Sequence, residues 1–324
     1  MKICLVTPPS PVLNGNRITA HRLEQIFLDL GHQAILDEAY RGETCDLLVA
    51  LHARKSAESI ARFSELHPDL PLVVVLTGTD IYGDLKASPE AGRSLELATR
   101  LVVLQKKGLE MLDQKLHAKT RVIYQSVEPL EAEPLVQKAF PDGCFQVCVI
   151  GNLRPEKDPL RTALAARGLP ASSTIKVLHV GCALNQDLER QALNEETVNP
   201  RYRWLRGQPY RDTRLLLAES HLLSITSLME GGSNVLSEAL ASSVPVVASR
   251  IAGLIGTLGH DYPGFFPAEA TAALAQLLHR AETDPAFYEE LKGRCAALKP
   301  LVSIEAERSQ WRVLLQEPEL TADH

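Results

Sequence analysis

Glu230-Gly231-Gly232-Ser233-Asn234-Val235-Leu236-Ser237-Glu238-Ala239-Leu240-Ala241, continuing through Ser242-Ser243-Val244-Pro245-Val246-Val247-Ala248-Ser249, passes from a glycine turn into a helix and then into an apolar strand. Turn, helix and strand in that order form the repeating unit of a parallel sheet covered by helices. Gly231 and Gly232 let the backbone turn sharply and come close to a ligand. The free N–H groups of the first turn after Ser233, with the helix dipole, favour a diphosphate. Glu230 falls in the turn and Glu238 in the second helical turn, so the two carboxylates address different parts of one ligand. One stands near a sugar, and the other accepts hydrogen bonds from a diol such as a ribose. The same residues also read as a capped core helix whose glutamates face water.

Outward from this unit, short apolar runs alternate with helical patterns. Expected strands fall at residues 2–7, 47–51, 72–76, 101–104 and 122–124, then at 146–150, 175–180, 202–205, 222–225 and 246–248. Leu23, Ile26, Phe27 and Leu30 recur at helical spacing, and Gly31 ends that helix. The proline- and acid-rich stretch Val127-Glu128-Pro129-Leu130-Glu131-Ala132-Glu133-Pro134 sets a linker before a fresh strand at Gln146. Two doubly wound, Rossmann-like α/β domains are expected, residues 1–140 and 141–302, facing across a cleft at the carboxyl ends of their strands. A last segment, 303–324, carries Ile304, Trp311, Leu314 and Leu315 as an apolar stripe on a helix expected to cross back to the first domain.

Composition agrees with this scale: 324 residues suit two domains of about 100–200 residues each. Apolar residues make up 45% and charged residues 23%, ordinary for a folded soluble chain. A formal net charge of −6 argues against a nucleic-acid binder, so an anionic ligand must be held locally. The apolar run at the start is too short for a signal peptide and no membrane-length apolar stretch follows, which makes the cytoplasm the expected compartment. Cys4, Cys45, Cys144, Cys148, Cys182 and Cys295 lack C-x-x-C spacing and read as buried thiols; Cys144 and Cys148 would share one face of a strand.

A second signal is Val149-Ile150-Gly151-Asn152-Leu153-Arg154-Pro155-Glu156-Lys157-Asp158-Pro159. A glycine at a strand end, followed by two cations, aims Arg154 and Lys157 at a diphosphate, the one as a fork and the other as a point charge. Alone, the loop reads equally as a solvated turn with a surface Glu156/Lys157 pair.

These two elements together resemble the donor half of GT-B glycosyltransferases of the retaining family 4 type, over about residues 146–250. The resemblance implies that Glu238 binds ribose hydroxyls and that Glu230 sits near the donor sugar. It also implies that the amides of Gly231, Gly232, Ser233 and Asn234 hold phosphate, that Arg154 and Lys157 bind the diphosphate, and that Arg206 frames the base. Thr7-Pro8-Pro9, Asn14-Gly15-Asn16-Arg17, the run from Asp46 to Ser56, Leu76-Thr77-Gly78-Thr79-Asp80-Ile81-Tyr82 and Val122-Ile123-Tyr124-Gln125-Ser126 narrow the match. Over nearly the whole chain they resemble the selenosugar synthases of selenoneine biosynthesis. Such enzymes join the sugar of UDP-N-acetylglucosamine or UDP-glucose to selenophosphate, forming a carbon–selenium bond and releasing UDP.

A selenophosphate site needs cations and hydrogen-bond donors. Asn16, Arg17, His52, Arg54, Lys55, Thr77 and Thr79 are the candidates, with His52 and Asp80 beside Glu230 as catalytic candidates. Each has a structural alternative. Arg54 and Lys55 read also as the start of a solvated helix, Arg17 as a first-turn residue facing water, and His52 as a histidine bonded to backbone; Asp80 reads as a contact to the donor sugar, as a loop support or as the cap of the next turn. Selenium that arrives anionic needs no general base, so electrostatic alignment and stabilisation of the departing UDP are the expected tasks. No Asp-x-Asp occurs, and no metal or other cofactor is expected; protein cations and the helix dipole take that part. No nucleic-acid or membrane partner is expected, and the oligomeric state is left open. Two other functions fit the same fold: a glycosyltransferase with a hydroxyl acceptor, and a nucleotide-sugar epimerase or inactive nucleotide-sugar-binding protein.

Overall fold

The computed structural model describes residues 1–10, 12, 14–83, 85, 87–130 and 143–321. The chain divides into two compact units. The first gathers Met1–Ser126, Glu230–Asn234 and Ser303–His324; the second gathers Val127–Met229 and Val235–Val302. The boundary expected between residues 140 and 141 lies outside the described residues.

The first unit is built on β1 (Lys2–Val6), β2 (Gln33–Asp37), β3 (Leu47–Leu51), β4 (Leu72–Leu76), β5 (Arg100–Val103) and β6 (Thr120–Val122), all parallel, in the order β2-β1-β3-β4-β5-β6. β3 and β4 are apolar and buried throughout, as a sheet covered on both faces requires. Leu5, Val49 and Val73 face Leu23, Phe27 and Trp311, while Val6, Ala50 and Val74 face Ile60, Phe63 and Leu95. The helix Gly15–Asp29 buries Leu23, Ile26 and Phe27. It ends as anticipated at Gly31, whose φ of 83° permits both closing bonds, Gly31 N–H to Leu28 O and His32 N–H to Phe27 O. β2 was not anticipated: an edge strand with two of its five residues exposed and none buried has no apolar run to reveal it. The C-terminal helix Ile304–Leu315, capped by Ser303, lays Trp311 edge-on against Phe27 at 5.1 Å.

The second unit carries β7 (Gln146–Ile150), β8 (Lys176–Val180), β9 (Tyr202–Trp204), β10 (Leu222–Ile225), β11 (Val246–Ser249) and β12 (Phe265–Phe266), again parallel, in the order β12-β11-β10-β7-β8-β9. Cys144 precedes β7 instead of lying on it and is partly exposed, so it shares no strand face with Cys148. Cys182 is also partly exposed, and the other four thiols are buried. Cys4 and Cys45, far apart in sequence, meet as a hydrogen-bonded pair of thiols. Among the described residues no helix is long and apolar enough to cross a membrane.

Candidate active site

In open parallel sheets, ligands bind beyond the carboxyl ends of the strands where strand order reverses. That point lies between β1 and β3 in the first sheet and between β10 and β7 in the second.

At the first reversal, His52 follows β3 with a left-handed φ of 73°, which costs a non-glycine residue about 1 kcal/mol. Lys55 N–H donates to its Nδ1 at 3.3 Å, so the ring proton sits on Nε2, which donates to Thr79 Oγ1 at 2.9 Å. Thr79 accepts from the ring and keeps its own O–H to donate. Asp80 is fully buried. Its carboxylate accepts N–H groups from Gly78 at 2.7 Å, Thr77 at 3.0 Å, Ile81 at 3.0 Å and Ala53 at 3.1 Å. Of the alternatives open to Asp80, support of the loop is the one these bonds describe, joining the ends of β3 and β4. Arg54 and Lys55 are exposed, and Thr77 and Asn16 half-buried. Arg17 Nη1 donates to Ser10 O at 3.1 Å, which draws the guanidinium onto the loop after β1.

The turn Glu230–Asn234 belongs to the same unit. Glu230 is buried, at 7% exposure, as is Ser233. A Cβ on Gly231 would stand 2.4 Å from Gly78 N, and one on Gly232 would stand 2.5 Å from Leu104 Cβ. On the side where a Cβ would stand, both glycines are packed against protein. Gly78 must itself be glycine, with φ of 151°. Asn234 gives its side-chain N–H to Gly15 O at 3.1 Å and accepts from Arg22 Nη1 at 3.1 Å, so that side chain is committed to the fold.

In the second unit, the loop 151–158 leaves β7 and is clamped by the end of β10. Thr226 Oγ1 donates to Asp158 O at 2.8 Å and to Lys157 O at 3.1 Å, and Leu228 N–H donates to Glu156 O at 2.8 Å. A small pocket opens there, lined by Gly151, Lys157, Pro159, Thr226, Ser227 and Val235. Among the described residues, the buried Nε of Arg154 on this loop has no hydrogen-bond partner. Glu238, 4% exposed, accepts the Tyr210 hydroxyl. Burial and the neighbouring carboxylate push Tyr210 up to about 12, so the phenol keeps its proton at neutral pH. Arg214 lies beside it, its guanidinium carbon 5.9 Å from the ring.

The family model for glycosyl transferases group 1 matches residues 133–296, just over half of the chain. The chain belongs to that family. "Glycosyltransferase 1 domain-containing protein 1" of Xenopus tropicalis is 26% identical over 93% of this chain and 94% of its own. Among solved structures, HepE of Anabaena in complex with UDP and glucose superposes with a TM-score of 0.77 at 17% identity, covering 97% of this chain and 99% of its own. Sucrose-phosphate synthase of Thermosynechococcus elongatus gives 0.78 at 17% identity, over 98% of both chains. The two parallel six-stranded sheets are thus those of the GT-B fold.

In this group 1 glycosyltransferase, Arg206 has φ of 60° and folds back on its own strand: its guanidinium stacks on Trp204 at 4.3 Å and donates to Trp204 O at 2.6 Å. Among the described residues no group of three or more His, Cys, Asp or Glu is placed to hold a metal ion. Two polar arrangements escaped the sequence reading. His179, fully buried, links Gly151 O at 3.0 Å to the Tyr202 hydroxyl at 2.9 Å. Burial lowers it to about 4, so the ring is neutral and its Nε2–H donates to Gly151. Arg22, Gln125, Ser126 and Glu307 form a buried network around Asn234. Its one sequence signal was the polar pair Thr19 and Arg22, three apart beside the apolar stripe of Leu23 and Ile26.

Proposed function

We propose that this glycosyltransferase transfers the sugar of a UDP-sugar, UDP-N-acetylglucosamine or UDP-glucose, to selenophosphate. The observation that carries the donor half is the unmatched buried Nε of Arg154 on the loop whose Lys157 lines the pocket at the β10/β7 reversal. A diphosphate supplies the missing acceptor and is balanced by the two cations. Glu238 receives the ribose hydroxyls, with the Tyr210 hydroxyl holding the carboxylate in place.

Selenium attacks the anomeric carbon, the bond from that carbon to the β-phosphate oxygen breaks, and its electron pair leaves with UDP. Arg154, Lys157 and the amides at the start of the helix Asn234–Ala241 stabilise the charge gained by UDP. An anionic acceptor is supported by the state of the two titratable groups behind β3 and β4. Asp80 accepts four amides and His52 Nδ1 accepts the Lys55 amide, so neither is set to take a proton from an alcohol. Thr79 O–H, Arg17, Arg54 and Lys55 are the acceptor contacts in this reading. A hydroxylated acceptor is the second reading, favoured by the name of the sucrose-phosphate synthase that shares the fold.

The purified protein, given UDP-N-acetylglucosamine and selenophosphate, is expected to release UDP and a selenium-containing sugar detected by mass spectrometry. UDP release indifferent to selenophosphate but dependent on an alcohol would overturn the selenophosphate assignment.

A further inference from the structure

Arg22 lies on the helix Gly15–Asp29 with its side chain 10% exposed, and each of its three nitrogens has a partner. Nε donates to Glu307 Oε2 at 2.9 Å, Nη1 to Asn234 Oδ1 at 3.1 Å and Nη2 to Gln125 Oε1 at 3.0 Å. A guanidinium carries only donors, so it turns the carbonyl oxygen of both carboxamides toward itself and their NH2 groups away. Gln125 Nε2 is thereby aimed at Gly232 O, 3.1 Å away, and Asn234 Nδ2 at Gly15 O, also 3.1 Å away. Thr19 O–H donates to Gln125 Oε1 at 2.7 Å, reinforcing the same orientation. Glu307, 2% exposed, is held by the Ser126 N–H at 2.6 Å and the Ser126 hydroxyl at 2.5 Å, which fixes the anchor of the guanidinium.

We propose that Arg22 is a positioning residue for sugar transfer: by setting the orientation of Gln125 and Asn234 it fixes the Gly232 carbonyl and the turn that carries Glu230. The role deepens the function proposed above and rests on it, because the family resemblance puts Glu230 near the donor sugar. A charge bridge between two helices would need only Arg22 and Glu307. The two amides are what connect that bridge to the turn.

Gln125→Glu separates the two roles. It leaves Arg22 facing an oxygen but replaces the donor to Gly232 O with a second oxygen, which repels that carbonyl. The melting temperature is expected to stay within about 3 °C of wild type. Hydrogen exchange of peptides spanning the turn should rise about tenfold, while exchange in the helices of Arg22 and Glu307 stays at wild-type rates. Transfer kcat should fall by about 10- to 100-fold, with a smaller loss of affinity for UDP, because Arg154, Lys157 and Glu238 keep their contacts while the turn amides loosen. Arg22→Ala should reproduce the exchange and kcat changes, and Arg22→Lys, which keeps the bridge to Glu307 but not the fork, should not rescue them. Unchanged exchange in the turn of Gln125→Glu overturns the proposal, as does a fall in kcat matched by an equal loss of UDP affinity. If wild type turns over no UDP-sugar, the proposed function fails, and the exchange measurement still decides the role of Arg22.

Discussion

Glu238 concentrates the donor assignment in one side chain. It is 4% exposed, holds the Tyr210 hydroxyl and lies at the second turn of its helix, where the sequence spacing had put it. In the proposed function it accepts the ribose hydroxyls, so truncation to alanine should weaken UDP binding by about 1–3 kcal/mol, or about 5- to 150-fold in calorimetric Kd. An unchanged Kd would remove Glu238 from the site. Residues differ in how much their neighbours in sequence reveal. The loop that carries Arg154 and Lys157 was legible because the strand before it, its glycine and its two cations are local in sequence. The side-chain partners of Asn234 and Arg206 were not legible because they come from the fold: Arg22 and Gly15 engage Asn234, and Trp204 engages the Arg206 guanidinium. Gly231 and Gly232 were legible as a turn, but the atoms that exclude a side chain there, from Gly78 and Leu104, come from distant parts of the sequence.

At the scale of elements, two contacts lead to measurable stability effects. His179 is buried neutral between Gly151 and Tyr202, its value lowered by burial from the ordinary 6.5 to about 4. Between those values the unfolded chain binds a proton that the folded chain does not, so stability falls as pH drops from 6.5 toward 4 and levels off below. The loss from this group is about 3 kcal/mol, at about 1.4 kcal/mol per pH unit. Urea unfolding between pH 7 and pH 4 should show that slope in wild type and lose it in His179→Gln; parallel curves would remove His179 as its source. The C-terminal helix depends on Trp311, 1% exposed against Phe27. Trp311→Ala should cost about 3–5 kcal/mol in urea unfolding, and a loss below about 1 kcal/mol would mean that the helix is held by its ion pairs instead. Apolar strands such as β3, β4 and β10 were readable because burial on both faces writes a continuous run. β2 and the two-residue β12 were not: one has no buried residue and the other is too short to carry a pattern.

For the molecule as a whole, membership in the group 1 family and the two reversing sheets account for where the chemistry-bearing loops emerge. The fold was legible because alternating strand and helix patterns span the chain. The proposed acceptor rests on resemblance alone, since Arg17, Arg54, Lys55 and Thr79 match any small anion. The bond made at the anomeric carbon settles the matter most directly. With UDP-N-acetylglucosamine labelled with carbon-13 at that carbon, and selenophosphate, the product's carbon signal should show satellites from one-bond coupling to selenium-77. An anomeric carbon still bonded to oxygen, with coupling to phosphorus or to none, would contradict the account.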